Sequence, residues 1–265
     1  MVVAIVGIAL VGLTLRDVFH TLFHPGGHGG LASLICRAAW VVCIHLGQRA
    51  RLLAGPSGVL LTVIAWLLLL IAGFALILVP LLPEGASYGS GSPQGSPFVD
   101  ALYLSAVSAS TLGLGDVVIQ DPSWRWLAPF EGLLGFGVIT AAITWLTQIY
   151  PALSRRRSLS LDVWTTLEDY GASPPVQPSS VVRSWATRLA AVSVDFVQNT
   201  ETFWFRENDP RLSLGPALHR LDDVVATNPD IEENRQLQRS LKVLREIMRS
   251  QYGPHAASHL AGNRE

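Results

Sequence analysis

Cysteine, lysine and, over its first half, charge are what this 265-residue sequence lacks. The two cysteines, Cys36 and Cys43, stand seven apart in an expected helix, with Cα atoms roughly 10 Å from each other. A disulfide needs less than about 7 Å, so no bridge forms within that helix. A secreted disulfide scaffold is excluded, and both cysteines read as packing residues. Lys242 is the single lysine beside 18 arginines. Charge is missing unevenly. Of 39 charged residues, 28 follow Ser154, 14 basic and 14 acidic, and the first 154 positions hold 11. With a mean hydropathy of +0.36, this split predicts a membrane domain followed by a soluble one. It excludes a cytosolic enzyme and a disordered chain. The evenly charged tail and a net charge of −1 lack the basic excess of a nucleic-acid binder. No paired carboxylates, nucleophile–base pair or metal cluster falls at membrane depth, so no enzyme chemistry and no cofactor are expected.

What is present is apolar length. A helix needs about 20 mostly apolar residues to cross the hydrocarbon core. Residues 1–23 qualify, uncharged until Arg16 and Asp17, which read as a pair. Their length and flanks do not suit a cleaved signal peptide. Residues 52–83 carry no charge, and residues 124–150 carry only Glu131 and Arg125. Residues 31–47 are apolar but contain Arg37 and His45. They read as an interfacial helix on the cytoplasmic face, with a fourth span as the alternative. Arg37, Arg49 and Arg51 on one side of the second span, and Arg155, Arg156 and Arg157 after the third, place both stretches in the cytoplasm. The N-terminal end then faces outward, and so does the loop 84–123, which has no basic residue.

Residues 98–115 suffice for half a crossing. Backbone at membrane depth that does not complete a helix must be buried in protein or line a water-filled path. The segment reads YLSAVSASTLGLGD over residues 103–116. Its first part predicts a short helix over 99–110, with a partly negative C-terminus that favours a cation. Gly113 and Gly115 alternate with Leu112 and Leu114 after Thr111, and glycine admits backbone that lets successive carbonyls point one way. Rings of such oxygens replace the hydration shell of a monovalent cation. A single pore loop cannot form a ring, so a homotetramer is expected.

The stretch resembles the potassium-channel pore loop, whose filter usually reads T-V-G-Y-G-D; here it reads T-L-G-L-G-D. The inner span FEGLLGFGVITAAITW over residues 130–145 is similar to the inner helix of bacterial channels with two transmembrane helices and one pore loop. The resemblance covers residues 57–150. It implies a potassium filter of Thr111, Leu112, Gly113, Leu114 and Gly115, with Asp116 bracing the mouth. It also implies a gating hinge at Gly132, against which stands plain helix packing, the reading favoured for Gly135 and Gly137.

Around this segment, Glu84, Asp100 and Asp121 join Asp116 as a negative outer vestibule; singly, each is a solvated loop acid. Glu131 lies behind the filter or snorkels to the interface. Leu133, Phe136, Thr140, Thr144 and Gln148 share one face of the inner helix, lining a hydrated cavity or bonding to a neighbouring helix. His20, His24 and His28 stand four apart, but Pro25 to Gly27 interrupt the helix, so no metal is expected there. Arg16 does not begin the arginine ladder of a voltage sensor. In the tail, Arg155–Arg157 read as a headgroup anchor and residues 171–180 as a linker. Three amphipathic helices follow, marked by Trp185, Leu189, Val192 and Phe196, by Leu214, Leu218, Leu221 and Val225, and by Leu237, Leu241, Leu244 and Ile247. Asp230 and Glu233 are candidate caps of the last. No Gly-rich nucleotide-binding turn occurs in the tail.

The expected architecture is an all-α integral membrane protein. It comprises a transmembrane helix (1–23), an interfacial helix and linker (24–56), a pore domain (57–150), a basic juxtamembrane linker (151–180), a cytoplasmic helical domain (181–252) and a disordered tail (253–265). The pore domain divides into outer helix 57–82, pore helix 99–110, filter 111–116 and inner helix 124–150. The expected function is passive potassium conduction across the cell membrane, with potassium and the lipid bilayer as partners. The alternatives are a weakly selective cation channel and a non-conducting scaffold acting through the tail.

Overall fold

The computed structural model describes residues 1–23, 29–89, 95–168, 176–227 and 232–253. His24 and His28, the first half of the expected 171–180 linker, the Asp230 cap and the expected disordered tail from residue 254 lie outside the described residues. The chain divides into two units, Met1–Ala38 with Ser57–Leu146, and Ala39–Pro56 with Thr147–Glu265.

Among the described residues, three helices are long and apolar enough to cross a membrane. They are α1 (Val2–Phe23), α4 (Ala54–Leu78), which a 3-10 turn extends to Leu81, and α6 (Leu127–Leu167). In the first unit, α1 and α4 meet at glycines. A Cβ on Gly7 would stand 2.5 Å from the Gly73 carbonyl oxygen, and one on Gly73 would stand 2.7 Å from a Val11 methyl. Lipid supplies no hydrophobic drive between helices, so close backbone approach of this kind holds them together. Val11, Leu70, Phe74 and Ile77 bury around that crossing. The hydroxyls of Thr14 and Thr62 donate back to the carbonyls of Leu10 and Gly58, at 2.8 Å each, which removes them from contact with lipid.

Helix α2 (Gly30–His45) has 16 residues, fewer than the roughly 20 a crossing needs. A four-residue α3 (Gln48–Arg51) follows. Arg16 and Asp17 do not pair, contrary to expectation. Successive helix residues project in different directions. Asp17 instead accepts from Trp66 Nε1 of α4 at 2.8 Å and from the Leu31 backbone N–H of α2 at 2.9 Å. One carboxylate thus joins three helices.

The re-entrant segment forms α5 (Pro97–Ala109), started by Ser96, whose side chain accepts from the Val99 N–H, and by Pro97 in the first turn. A feature absent from the all-helical expectation flanks it. Strand β1 (Ala86–Tyr88) pairs antiparallel with β2 (Val117–Ile119), Ala86 opposite Ile119 and Tyr88 opposite Val117.

In the second unit, the inner helix does not end near Tyr150. It runs through Pro151 to Leu167, so the expected linker beginning at residue 151 is helix for its first 17 positions. Leu159, Val163 and Leu167 supply a wall of a core shared with α7 (Ser179–Gln198), α8 (Leu214–Thr227) and α9 (Glu232–Tyr252). The stripes expected from the sequence fill that core, with Ile247 at its edge. Arg220 donates to the Leu167 carbonyl at 2.9 Å and stacks on Trp164, which closes the end of α6.

Arg155–Arg157 are not a headgroup anchor. Arg155 binds both carboxylate oxygens of Asp195 at 2.8 and 2.5 Å, and Arg157 binds Glu207 at 2.8 Å. Arg156, 4% exposed, donates to the carbonyls of Thr202 and Phe205 at 2.8 and 3.1 Å and to Glu207 at 3.2 Å. Three carbonyl and carboxylate partners explain why this cation tolerates burial where a lipid headgroup was expected. Arg206 is less well provided. It lies over the rings of Trp40 and Phe203, and its Nη2 is buried without a hydrogen-bond partner. Burial first, then Arg156 nearby, push its guanidinium down to about 10.

These environments predict unequal costs for two similar truncations. Arg156→Met takes this donor from the buried Thr202 and Phe205 carbonyls, while Glu207 keeps Arg157, and is expected to cost about 1–3 kcal/mol for each carbonyl. Arg206→Met removes a poorly compensated charge, and its cost is limited to a cation–π term of about 1 kcal/mol. Thermal unfolding of the full-length variants in detergent checks the ordering.

Candidate ion pathway

The end of α5 builds the site. Its last turn closes with the Leu112 N–H donating to the Val107 carbonyl at 3.1 Å and the Thr111 N–H donating to Ser108 at 2.9 Å. This nested pair is the Schellman closure, which needs its residue after the cap in the left-handed region. Thr111 occupies that position at φ +58°. Glycine is usual there, and a β-branched residue is a genuine outlier. The conformation then repeats at alternate positions, Gly113 at φ +54° and Gly115 at φ +74°. A Cβ on either glycine would meet nothing within 4 Å in this chain, so backbone angle, not crowding, is what requires glycine. Leu112 and Leu114 between them are 63% and 58% exposed, leaving the loop uncovered by its own chain.

Hydrogen bonds fasten both ends of this loop. Asp116 accepts from the Tyr103 hydroxyl of α5 at 2.6 Å and from the Val117 N–H at 3.1 Å. Its backbone carbonyl accepts from Gly89 at 2.7 Å, at the end of the β1–β2 ladder. Tyr88 of β1 donates to Asp100 at 2.9 Å, in the first turn of α5. Burial, then the bond and charge of Asp100, push the Tyr88 phenol up. Asp100 is therefore buried and occupied, which corrects its expected place as an open vestibular acid. Glu84 and Asp121 are exposed. Asp121 also accepts from the Ser123 N–H at 2.8 Å within its own turn.

Behind the loop, Ser105 of α5 meets both long helices. Its hydroxyl lies 2.8 Å from the Ile71 carbonyl of α4 and contacts the Glu131 carboxyl of α6. Glu131 is 1% exposed, so it faces protein and does not snorkel. Gly135 packs against the end of α5, where a Cβ would come within 3.1 Å of the Ala109 Cα. Gly132 has a near neighbour too, its Cβ position 3.2 Å from the Ser108 carbonyl oxygen. Gly137, expected to pack, meets nothing within 4 Å in this chain. On α6, Leu133, Phe136, Thr140, Thr144 and Gln148 are all exposed. The buried face carries Glu131, Val138, Ala142, Trp145 and Ile149. Trp145 lies against Trp66 with ring centroids 5.7 Å apart. The hydroxyls of Thr140 and Thr144 donate to the carbonyls of Phe136 and Thr140.

Sequence reasoning missed the Tyr88–Asp100 and Tyr103–Asp116 bonds. A tyrosine hydroxyl near the membrane surface takes a protein partner or water, and nothing in spacing says which. The β-branched run of residues 117–119 was the available sign of the strand pair.

Comparison with known proteins agrees on this region. A family described as Ion channel matches residues 61–150. An uncharacterized membrane protein of Bacillus subtilis strain 168, YdjJ, is 26% identical over 163 residues, covering 60% of this chain. The chain spans about half the length of that relative, 47%. No solved structure matches the chain. Three apolar helices and this match make the chain a multi-pass membrane protein with an ion channel domain.

The strained turn yields a prediction. Thr111→Gly relieves a left-handed cost of about 1–2 kcal/mol, so the folded protein is expected to melt no lower than wild type. It also deletes a hydroxyl at the start of the loop, so ion flux is expected to change. Unfolding and flux measured on the same preparation check the separation.

Proposed function

From an ion channel domain in residues 61–150, we propose that the protein is a potassium-selective channel working as a homotetramer in the cell membrane. The observation that carries this reading is the alternation of left-handed backbone at Thr111, Gly113 and Gly115 in the sequence T-L-G-L-G-D. Such alternation turns successive carbonyls of Thr111 to Gly115 toward one axis, where four copies replace water around a dehydrated cation. The Thr111 hydroxyl adds an oxygen at the inner end. Exposure of the loop, and of Leu133, Phe136, Thr140, Thr144 and Gln148, supports a pathway completed by other subunits. Asp116, held by Tyr103, braces the outer mouth, and Glu84 and Asp121 add negative charge there. Gly132 is the hinge candidate. The N-terminal end faces outward, and the second unit's helical core is a cytoplasmic regulatory or assembly domain.

Leu114 favours a weakly selective cation channel as the second reading. A tyrosine at that position would offer a ring and a hydroxyl to the pore helix, and leucine offers neither. Tyr103–Asp116 supplies a directional bond one step further out, so the loop is not held by apolar contact alone.

Potassium flux into liposomes containing the purified protein tests conduction. Gly113→Ala and Gly115→Ala are expected to abolish it while membrane insertion persists, because alanine disfavours positive φ. Equal flux from wild type and both variants would remove the loop from the pathway. Reversal potentials under potassium/sodium gradients separate the two readings. Wild type is expected to prefer potassium at high potassium and to lose preference when potassium is scarce, with Leu114→Tyr restoring it.

A further inference from the structure

We propose that Arg16 and the cavity beside it hold the phosphate headgroup of a membrane phospholipid, with an acyl chain along Leu10, Leu13 and Leu69. The site lies wholly in the first unit and requires that α1 spans the bilayer, not that the pore conducts. The cavity measures about 490 Å³ and is lined at one end by Arg16, Asp17 and His20 and at the other by those three leucines.

Arg16 stands seven residues before the end of α1 at Phe23, roughly 10 Å along the axis. A charged residue at that depth of a span ordinarily has a partner or reaches water. Among the described residues Arg16 has no ion pair or hydrogen bond. Its neighbour cannot serve it, since both Asp17 oxygens are engaged by Trp66 and Leu31. An arginine side chain lays its stem along apolar surface and carries its head toward the interface. The phosphodiester of a lipid lies at that level, and the guanidinium fork matches its oxygens. Leu13 is 59% exposed beside it, an apolar surface on the membrane side for a chain attached to that phosphate. Free phosphate would use the polar end alone. A diacylglycerol would use the apolar end alone. The two-part lining selects a molecule that has both.

The test uses the full-length protein, delipidated in mild detergent and titrated with four probes. These are phosphatidylglycerol, phosphatidylethanolamine, diacylglycerol and inorganic phosphate, read by native mass spectrometry. Both phospholipids are expected to bind saturably, and the other two at least about tenfold more weakly, a gap of about 1.4 kcal/mol. Arg16→Gln is expected to lower phospholipid affinity about tenfold. Leu13→Trp, which fills the apolar end without touching charge, should lower it too, so the conclusion does not hang on one variant. Arg16→Lys should retain part of the binding. Equal affinities for wild type, Arg16→Gln and Leu13→Trp would overturn the site. Diacylglycerol binding as well as phospholipid would make it an apolar groove only, and phosphate displacing lipid at its own affinity would make it a free-anion site. Either result overturns the proposal.

Discussion

One hydroxyl, that of Ser105, reaches both long helices of the pore region. A helix of 13 residues cannot cross the membrane, and lipid gives it no hydrophobic reason to stay where it is. It is held by a polar contact to Ile71 on one side and Glu131 on the other, and by the approach of Gly135 to its final residue. The position of the loop beyond it depends on that anchorage. Inside hydrocarbon an unmet polar group costs several kcal/mol, so these few bonds are obligatory where in water they would be marginal.

The loop itself is made by continuity of one backbone habit. The closure that ends α5 demands a left-handed residue, and the next two left-handed residues follow at the same alternation. A helix cap and the start of the proposed ion pathway are therefore one structure. Thr111 belongs to both, and on the proposed reading its unfavourable φ is accepted for the sake of its hydroxyl oxygen.

Much of this was legible beforehand, for identifiable reasons. Long uncharged runs can only be membrane helices, and glycines spaced by two after a short amphipathic segment suggest a specialised loop. The tail's amphipathic stripes named its core correctly, since Leu189, Leu221, Leu241 and Leu244 are all buried. Partners of polar groups were not legible. Three consecutive arginines after an apolar span look the same whether they meet phosphate or protein. Here Asp195, Glu207 and two backbone carbonyls, 40 or more residues further along, take them. Asp17 likewise looked like the mate of Arg16 because adjacency in sequence is easily mistaken for adjacency in space. The short strands escaped because three-residue segments carry too little pattern to distinguish from loop.

Helix α6 spans 41 residues without interruption, and its buried positions recur along its whole course, from Glu131 through Val138, Trp145 and Ile149 to Arg156, Leu159, Val163 and Leu167. A straight helix turns about 100° per residue. Adding a single residue between Arg156 and Leu159 would turn one against the other by that angle, so that Arg156 would leave its carbonyl partners while Leu159, Val163 and Leu167 kept their core. Adding seven would return it almost to its starting direction, within about 20°. Such a helix is a vernier. Its length can change only in steps that respect its pitch, so homologous chains of different length should differ in this segment by whole pairs of turns.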